Sequence, residues 1–260
     1  MHEIRYENNK LCKLKTALQG NGDFRNDESL SFLKNADIIV TNPPFSLFRE
    51  YFSQLIQYDK KFLIVGSLNA VTYKEVFPFL KEDKLQLGIN QIKEFIQPNG
   101  KLGLFGNIVW YTNLKCSKNR EFLTLKKKYT ISDYVHYDNF SAIEVSRIAD
   151  IPVDYNGIMG VPVSFLTRYN PEQFELVGLT NWKETIDSSV CIKQYQNALQ
   201  HHPDGSITNG SKVNTAGVIA VSDKPSGIYY TADNAADYLT CVFVRVLIKK
   251  RINIERKDKT

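Results

Sequence analysis

Cysteine and histidine are scarce, four of each in 260 residues. Cys12, Cys116, Cys191 and Cys241 share no pair spacing, and His2, His136, His201 and His202 form no ligand pattern with them. That scatter argues against a disulfide framework and against a metal site, so no metal is expected. The thiols read as free cysteines of a reducing compartment. His201 and His202 precede Pro203-Asp204-Gly205 and read as part of a polar turn. Long apolar runs are missing too. The most apolar late stretch, Leu239 to Ile248, is interrupted by Arg245 and falls short of the ~20 residues a membrane span needs. Met1 to Lys10 is polar and lacks the apolar core of a secretory signal. A cytoplasmic protein with no membrane partner is expected. Internal repeats and low-complexity segments are absent as well. Charge of one sign is only mildly in excess: 33 basic against 28 acidic residues give +5, which permits a polyanionic partner without requiring one.

What is present reads as a folded α/β chain, 43% hydrophobic and 23% charged. Lys13 to Leu18 suits a short strand ending at the turn Gly20-Asn21-Gly22, and Asn26 or Asp27 can cap a helix through Leu30 and Leu33. The run Ile38-Ile39-Val40 suits a strand buried on both faces. Thr41 to Pro44 must break regular structure, because consecutive prolines fix φ and deny backbone donors. Leu47, Phe48, Tyr51, Phe52, Leu55 and Ile56 then recur at helical spacing, before a second buried-strand candidate, Phe62 to Gly66. Strand, turn, helix and strand within some thirty residues predict a βαβ unit with parallel strands. Lys74 to Asp83 reads as another helix with Val76, Phe77 and Leu80 inward. Beyond Leu85 the chain turns β-rich over Leu104–Leu114, Gly160–Leu166, Val213–Val221 and Cys241–Ile248. Hairpin-type signals stand at Asn99-Gly100, Asn156-Gly157 and Asn209-Gly210.

The segment with chemical content is Asn42-Pro43-Pro44-Phe45, directly behind the first buried strand. Ligands of open α/β sheets bind at the carboxyl ends of strands, so this turn lies where a site belongs. The exocyclic amino group of adenine is a poor nucleophile, because its lone pair is delocalised into the ring. Two acceptors aimed at its hydrogens localise that pair and turn it toward an incoming methyl group. The Asn42 side-chain oxygen and the Pro43 carbonyl can supply them, with the Pro43-Pro44 pair holding the carbonyl in one direction. Phe45 offers an apolar face on which an extruded base can stack.

These residues match the asparagine-or-aspartate, Pro-Pro, aromatic signature of amino-group methyltransferases. More narrowly, Gly22-Asp23-Phe24-Arg25 and Ala36 through Glu50 resemble the EcoRI-type adenine-specific DNA methyltransferase family. Lys60 to Ile64, Tyr73 to Phe77, Tyr137-Asp138-Asn139 and Met159 to Pro162 continue the resemblance. It implies S-adenosyl-L-methionine as cofactor and double-stranded DNA as partner. It also implies that Asp23 accepts from the cofactor's adenine amino group, with Phe24 lining that pocket. The fold it implies is a class I S-adenosylmethionine-dependent methyltransferase-like sheet with a β-rich carboxy-terminal lobe. Residues 1–120 would form a partial catalytic core, and 121–260 the remaining core elements with a DNA target-recognition region.

The sequence departs from the family pattern in one respect. Gly20-Asn21-Gly22 lacks the third glycine of a cofactor-binding loop and lies too close to Asn42 to leave room for the intervening strand–helix units. The sheet is therefore expected to be incomplete on its amino-terminal side, with one edge of the Ile38–Val40 strand exposed. A truncated or split chain is expected, with an upstream chain supplying the glycine-rich loop. A catalytically silent DNA-binding remnant is an alternative, with Lys115, Lys118, Arg120 and Lys126-Lys127-Lys128 as phosphate contacts or a solvated face. An RNA or protein amide N-methyltransferase is another.

Overall fold

The computed structural model describes residues 2–7, 10–15, 17–88, 92–96, 99–115, 121–181, 185–188 and 190–251. Cys116, Lys118, Arg120 and the basic tail holding Arg256, Lys257 and Lys259 lie outside the described residues.

The chain opens with an antiparallel hairpin, β1 (His2–Glu7) and β2 (Lys10–Lys15), paired from His2↔Lys15 to Glu7↔Lys10. This corrects the expected strand over Lys13–Leu18. The strand starts earlier, and its partner is β1 rather than the central sheet. A segment carrying Lys10, Lys13 and Lys15 suits a ribbon better than a sheet interior.

Helix α1 (Asp27–Asn35) follows Asn26, with Asp27 and Glu28 in its first turn and Lys34 in its last, as the helix dipole favours. Strand β3 (Ile38–Thr41), a short 3-10 turn over Phe45–Leu47, helix α2 (Phe48–Gln57) and strand β4 (Lys61–Ser67) form the expected βαβ unit. Its strands are parallel from Ile38↔Lys61 to Thr41↔Ile64. Phe48, Phe52 and Leu55 of α2 are buried in the same core as Phe62 and Ile64 of β4. Helix α3 (Phe77–Lys81) is shorter than the expected Lys74–Asp83, because Pro78 stands in its first turn. Val76, Phe77 and Leu80 are nonetheless buried. Strands β5 (Gln86–Leu87), β6 (Ile92–Ile96) and β7 (Leu102–Thr112) complete the sheet, in the order β3-β4-β7-β5 with β6 also on β7. The β6–β7 connection passes through the expected turn at Asn99-Gly100, where Gly100 has φ 77°.

Among the described strands β3 pairs with β4 alone, so the sheet ends at an open edge. Ile38 and Val40 are 49% and 65% exposed. The expectation of a strand buried on both faces is corrected. Ile39 packs against the core, while the face carrying Ile38 and Val40 is left largely uncovered. An apolar run records a preference for burial and cannot by itself supply the covering element.

The rest of the chain builds two further sheets. Strands β8 (Ala142–Glu144), β9 (Ile158–Pro162) and β10 (Phe174–Leu179) precede a five-stranded sheet of β11 (Leu199–His201), β12 (Ile207–Asn209), β13 (Val218–Val221), β14 (Tyr229–Thr231) and β15 (Tyr238–Cys241). The chain then returns as β16 (Arg245–Lys250), between β9 and β10. The β-rich character expected of this half is present. Two turn readings are corrected. Asn156-Gly157 precedes β9, which runs parallel to β8, and Asn209-Gly210 leads β12 into a 3-10 turn over Ser211–Asn214. The β11–β12 hairpin turns instead at His202–Ser206, the expected polar turn, with Gly205 at φ 85°. The largest hydrophobic cluster joins Phe52, Ile64 and Tyr111 to Met159, Phe165 and Ile248.

Candidate active site

The Asn42–Phe45 turn emerges at the carboxyl end of β3. Pro43 is buried and anchors it, whereas Asn42 and Pro44 are exposed and Phe45 is 40% exposed. Pro44 is extended (φ −58°, ψ 123°), and its carbonyl accepts the Leu47 N–H at 3.0 Å, which starts the 3-10 turn leading into α2. Among the described residues the Asn42 amide makes no hydrogen bond, so its oxygen is free to accept one. The turn thus presents an exposed amide and, three residues on, a partly exposed aromatic ring. One turn further on, the Arg49 guanidinium stacks 4.0 Å over the ring of Tyr73.

The loop before α1 is strongly organised. Gly22 has φ 78°, which lets Asn21 Oδ1 accept the Asp23 N–H at 3.1 Å and the Asn26 amide at 2.7 Å. Glu28 reaches back to accept the N–H groups of Gln19 and Gly20 at 2.9–3.1 Å. The Gly20–Gly22 segment is thus a turn closed by its own neighbours. The Asp23 carboxylate is engaged by Arg25: Nε donates to Oδ1 at 2.9 Å, a terminal nitrogen donates to Oδ2 at 2.7 Å, and the Arg25 backbone N–H donates to Oδ1 at 2.9 Å. These bonds lower its pKa to about 2. Arg25 also reaches Glu50 on α2 at 3.1 Å.

Behind this loop, between α1, β3 and α2, lies a cleft of about 270 Å³ whose lining includes Phe24, Phe32, Ile39, Tyr51 and Gln54. Phe24 meets Tyr51 edge to face, centroids 5.0 Å apart. Burial pushes the Tyr51 phenol pKa up. Gln54 donates from Nε2 to the Phe24 carbonyl at 3.2 Å, while its Oε1 is buried and has no partner among the described residues. A buried acceptor left unpaired costs about 1–3 kcal/mol, so such an atom calls for a partner. The cleft is apolar, and its volume falls just below the usual range of ligand sites, about 300–1,000 Å³.

The structure therefore brings Asp23 and Phe24 to the foot of α2, with Phe24 in the cleft wall, and leaves Asn42 and Phe45 open at the end of β3. The sequence reading missed Gln54. The available signal was a polar residue three positions after Tyr51, inside an otherwise apolar helical stripe. Lys126, Lys127 and Lys128 are exposed, and Lys127 lies 3.6 Å from Asp150. Among the described residues no group of three or more His, Cys, Asp or Glu could hold a metal ion. No described helix is long and apolar enough to cross a membrane.

Comparison with known proteins bears on this geometry. The model of the family described as adenine-specific methyltransferase EcoRI matches residues 1–251. The type II methyltransferase M.EcoRI of Escherichia coli is 46% identical over 192 residues, covering 66% of this chain and 59% of that protein. M.MgeORF184P of Mycoplasma genitalium is 41% identical over 208 residues, covering 72% and 65%. M.MpnI of Mycoplasma pneumoniae is 35% identical over 233 residues, covering 81% and 72%. The chain thus spans about three-fifths to two-thirds of the first two relatives. No solved structure matches it.

Proposed function

Because the chain belongs to the EcoRI family of adenine-specific methyltransferases, we propose that it carries the target-base machinery of a DNA methyltransferase. The reaction moves a methyl group from S-adenosyl-L-methionine to the amino nitrogen of an adenine flipped out of double-stranded DNA. The observation that carries this reading is the open Asn42–Phe45 turn at the end of a parallel strand, with an exposed amide and a partly exposed ring in one four-residue turn. Asn42 Oδ1 and the Pro43 carbonyl accept the two amine hydrogens, which localises the nitrogen lone pair. Phe45 holds the base by stacking. When bound, S-adenosyl-L-methionine supplies an electrophilic methyl group, so no cysteine or serine nucleophile is required.

The purine of the cofactor belongs in the cleft behind Asp23 and Phe24, whose apolar walls suit it. Residues 1–120 then act as a partial catalytic core of class I type, and 121–260 as the remaining core elements with the target-recognition region. A second chain carrying a glycine-rich loop and the missing strands completes the site. The open edge of β3 and its exposed Ile38 and Val40 support that partner.

The test is transfer of tritiated methyl to duplex DNA, with and without a chain that carries the glycine-rich loop. Asn42→Ala should abolish transfer while DNA affinity is retained, because the lost acceptor acts only on the way to the transition state. Equal turnover by wild type and Asn42→Ala would remove the turn from the mechanism. DNA binding without transfer under every condition would favour the silent DNA-binding remnant. Transfer to RNA or to a protein amide in place of DNA would favour the other class of methyltransferase.

A further inference from the structure

Strand β7 is longer than the neighbour it shares with the parallel pair. It pairs with β4 from Ile108↔Ser67 to Thr112↔Leu63, so Leu102–Asn107 run on past Ser67, the last residue of β4. Among the described strands this extension pairs with β6 alone, in a ribbon closed by Ile96↔Leu102. Six residues make an arm roughly 20 Å long. Its direction follows from the register. Thr41 of β3 is level with Ile64 of β4, and Ile64 with Tyr111 of β7. The arm therefore leaves the sheet at the carboxyl edge of the parallel strands, the edge at which the Asn42–Phe45 turn opens. Two strand spacings, about 10 Å, separate β7 from β3.

Cross-strand partners share a face, so Ile96, Leu102 and Leu104 lie together on the arm, each between 59% and 80% exposed. Phe95 and Phe105 meet edge to face, centroids 5.6 Å apart. Lys93 and Lys101 are exposed, against one exposed acid on the arm's described residues, Glu94. A two-stranded ribbon that holds such a face in water has little stability of its own, and its excess of positive charge suits a polyanion.

We infer that the β6–β7 arm is an apolar wedge for duplex DNA. Lys93 and Lys101 meet phosphates, while Ile96, Leu102 and Leu104 stand against bases that lose a stacking neighbour when the target adenine is extruded. This rests on the proposed target-base turn, because a duplex that delivers an adenine to Asn42–Phe45 lies against the edge from which the arm projects. Two-stranded ribbons enter DNA grooves, and apolar side chains pressed between base steps unstack them.

The experiment is fluorescence anisotropy of the full chain with two labelled duplexes of one sequence, one intact and one with a single abasic site. The abasic duplex offers the wedge a gap and needs no base captured. Wild type should bind it about tenfold more tightly than the intact duplex, part of the cost of opening one step. The double variant Leu102→Ser, Leu104→Ser should bind both duplexes alike with an unchanged melting temperature, since both side chains are exposed. Phe45→Ala should keep the preference. Lys93→Ala with Lys101→Ala should weaken both complexes equally and lower their salt dependence. Equal binding of the two duplexes by wild type, or a preference that survives in the double leucine variant, overturns the wedge but leaves the target-base turn standing. A surviving preference with lost docking of the chain that carries the glycine-rich loop makes the arm a protein-docking face instead. Failure of wild type to bind either duplex overturns the DNA reading itself and the wedge with it.

Discussion

The ring of Tyr137 lies directly over Gly160, and a methyl group at residue 160 would overlap the phenol oxygen and stand 2.9 Å from Cε2. The phenol donates across β9 to Glu144 Oε2 on β8. Gly160→Ala is therefore expected to destabilise the fold by about 1–3 kcal/mol, the usual cost of overpacking a close contact. Urea unfolding followed by fluorescence measures this; an unchanged midpoint would show that the ring can move aside.

Glu144 also takes the Arg245 guanidinium, with Nε at 2.8 Å and a terminal nitrogen at 2.7 Å, in a pair whose side chains are only 8% and 15% exposed. Removing one partner leaves the other charge buried and unpaired. Arg245→Met should cost about 3–5 kcal/mol. Replacing Glu144 by Gln in the same chain should recover part of the loss. Additive losses in the double variant would contradict the pairing.

Asp138 sets a pH dependence. Burial pushes its pKa up, but hydrogen bonds from Lys193 at 2.7 Å and Tyr195 at 2.6 Å prevail and hold it below the ordinary 3.8. A carboxyl depressed on folding stabilises the fold fully above its ordinary range, and that stabilisation is lost as pH falls through 3.8 toward the lower folded value. The melting temperature should therefore drop below about pH 4, and Asp138→Asn should flatten that drop. Parallel acid melts for the two proteins would exclude Asp138 as a contributor.

Phe45 is 40% exposed, so truncating it removes little from the core. Phe45→Ala should leave thermal stability nearly unchanged but weaken capture of a flipped base by about 1–3 kcal/mol, the worth of one aromatic stack. Fluorescence of 2-aminopurine at the target position reports extrusion directly. An undiminished signal in the variant would mean that the ring holds no base.

Val40, 65% exposed on the open edge strand, tests the proposed second chain. Val40→Lys should change the isolated chain's stability by no more than about 0.5 kcal/mol, as surface substitutions do. It should nevertheless abolish the methyl transfer gained on mixing with a chain that carries the glycine-rich loop. Undisturbed transfer in the mixture would show that nothing docks on this face.

The sequence by itself determined the β3–α2–β4 unit, the turn at Asn42–Phe45 and the short helix behind Asn26. Each is written in local signals: an apolar run, a proline pair, a helical stripe, an acidic first turn, although the expected Asn26 side-chain cap does not form and its amide donates to Asn21 Oδ1 instead. These act over a few residues and need no distant partner to be read. The pairing of Lys10–Lys15 with His2–Glu7, the exposure of Ile38 and Val40, and the return of β16 between β9 and β10 were decided only by tertiary structure. A strand's composition states that it prefers burial but not which neighbour provides it. The same holds for Tyr137-Asp138-Asn139, conspicuous in the sequence only by resemblance. Folded, it is a junction: the buried Asn139 amide donates to the Ala216 carbonyl at 2.8 Å and accepts the Val218 N–H at 2.9 Å, tying the second sheet to the third. Gln54 became readable for a related reason, since an unpaired buried oxygen exists only once the surrounding chain has closed over it.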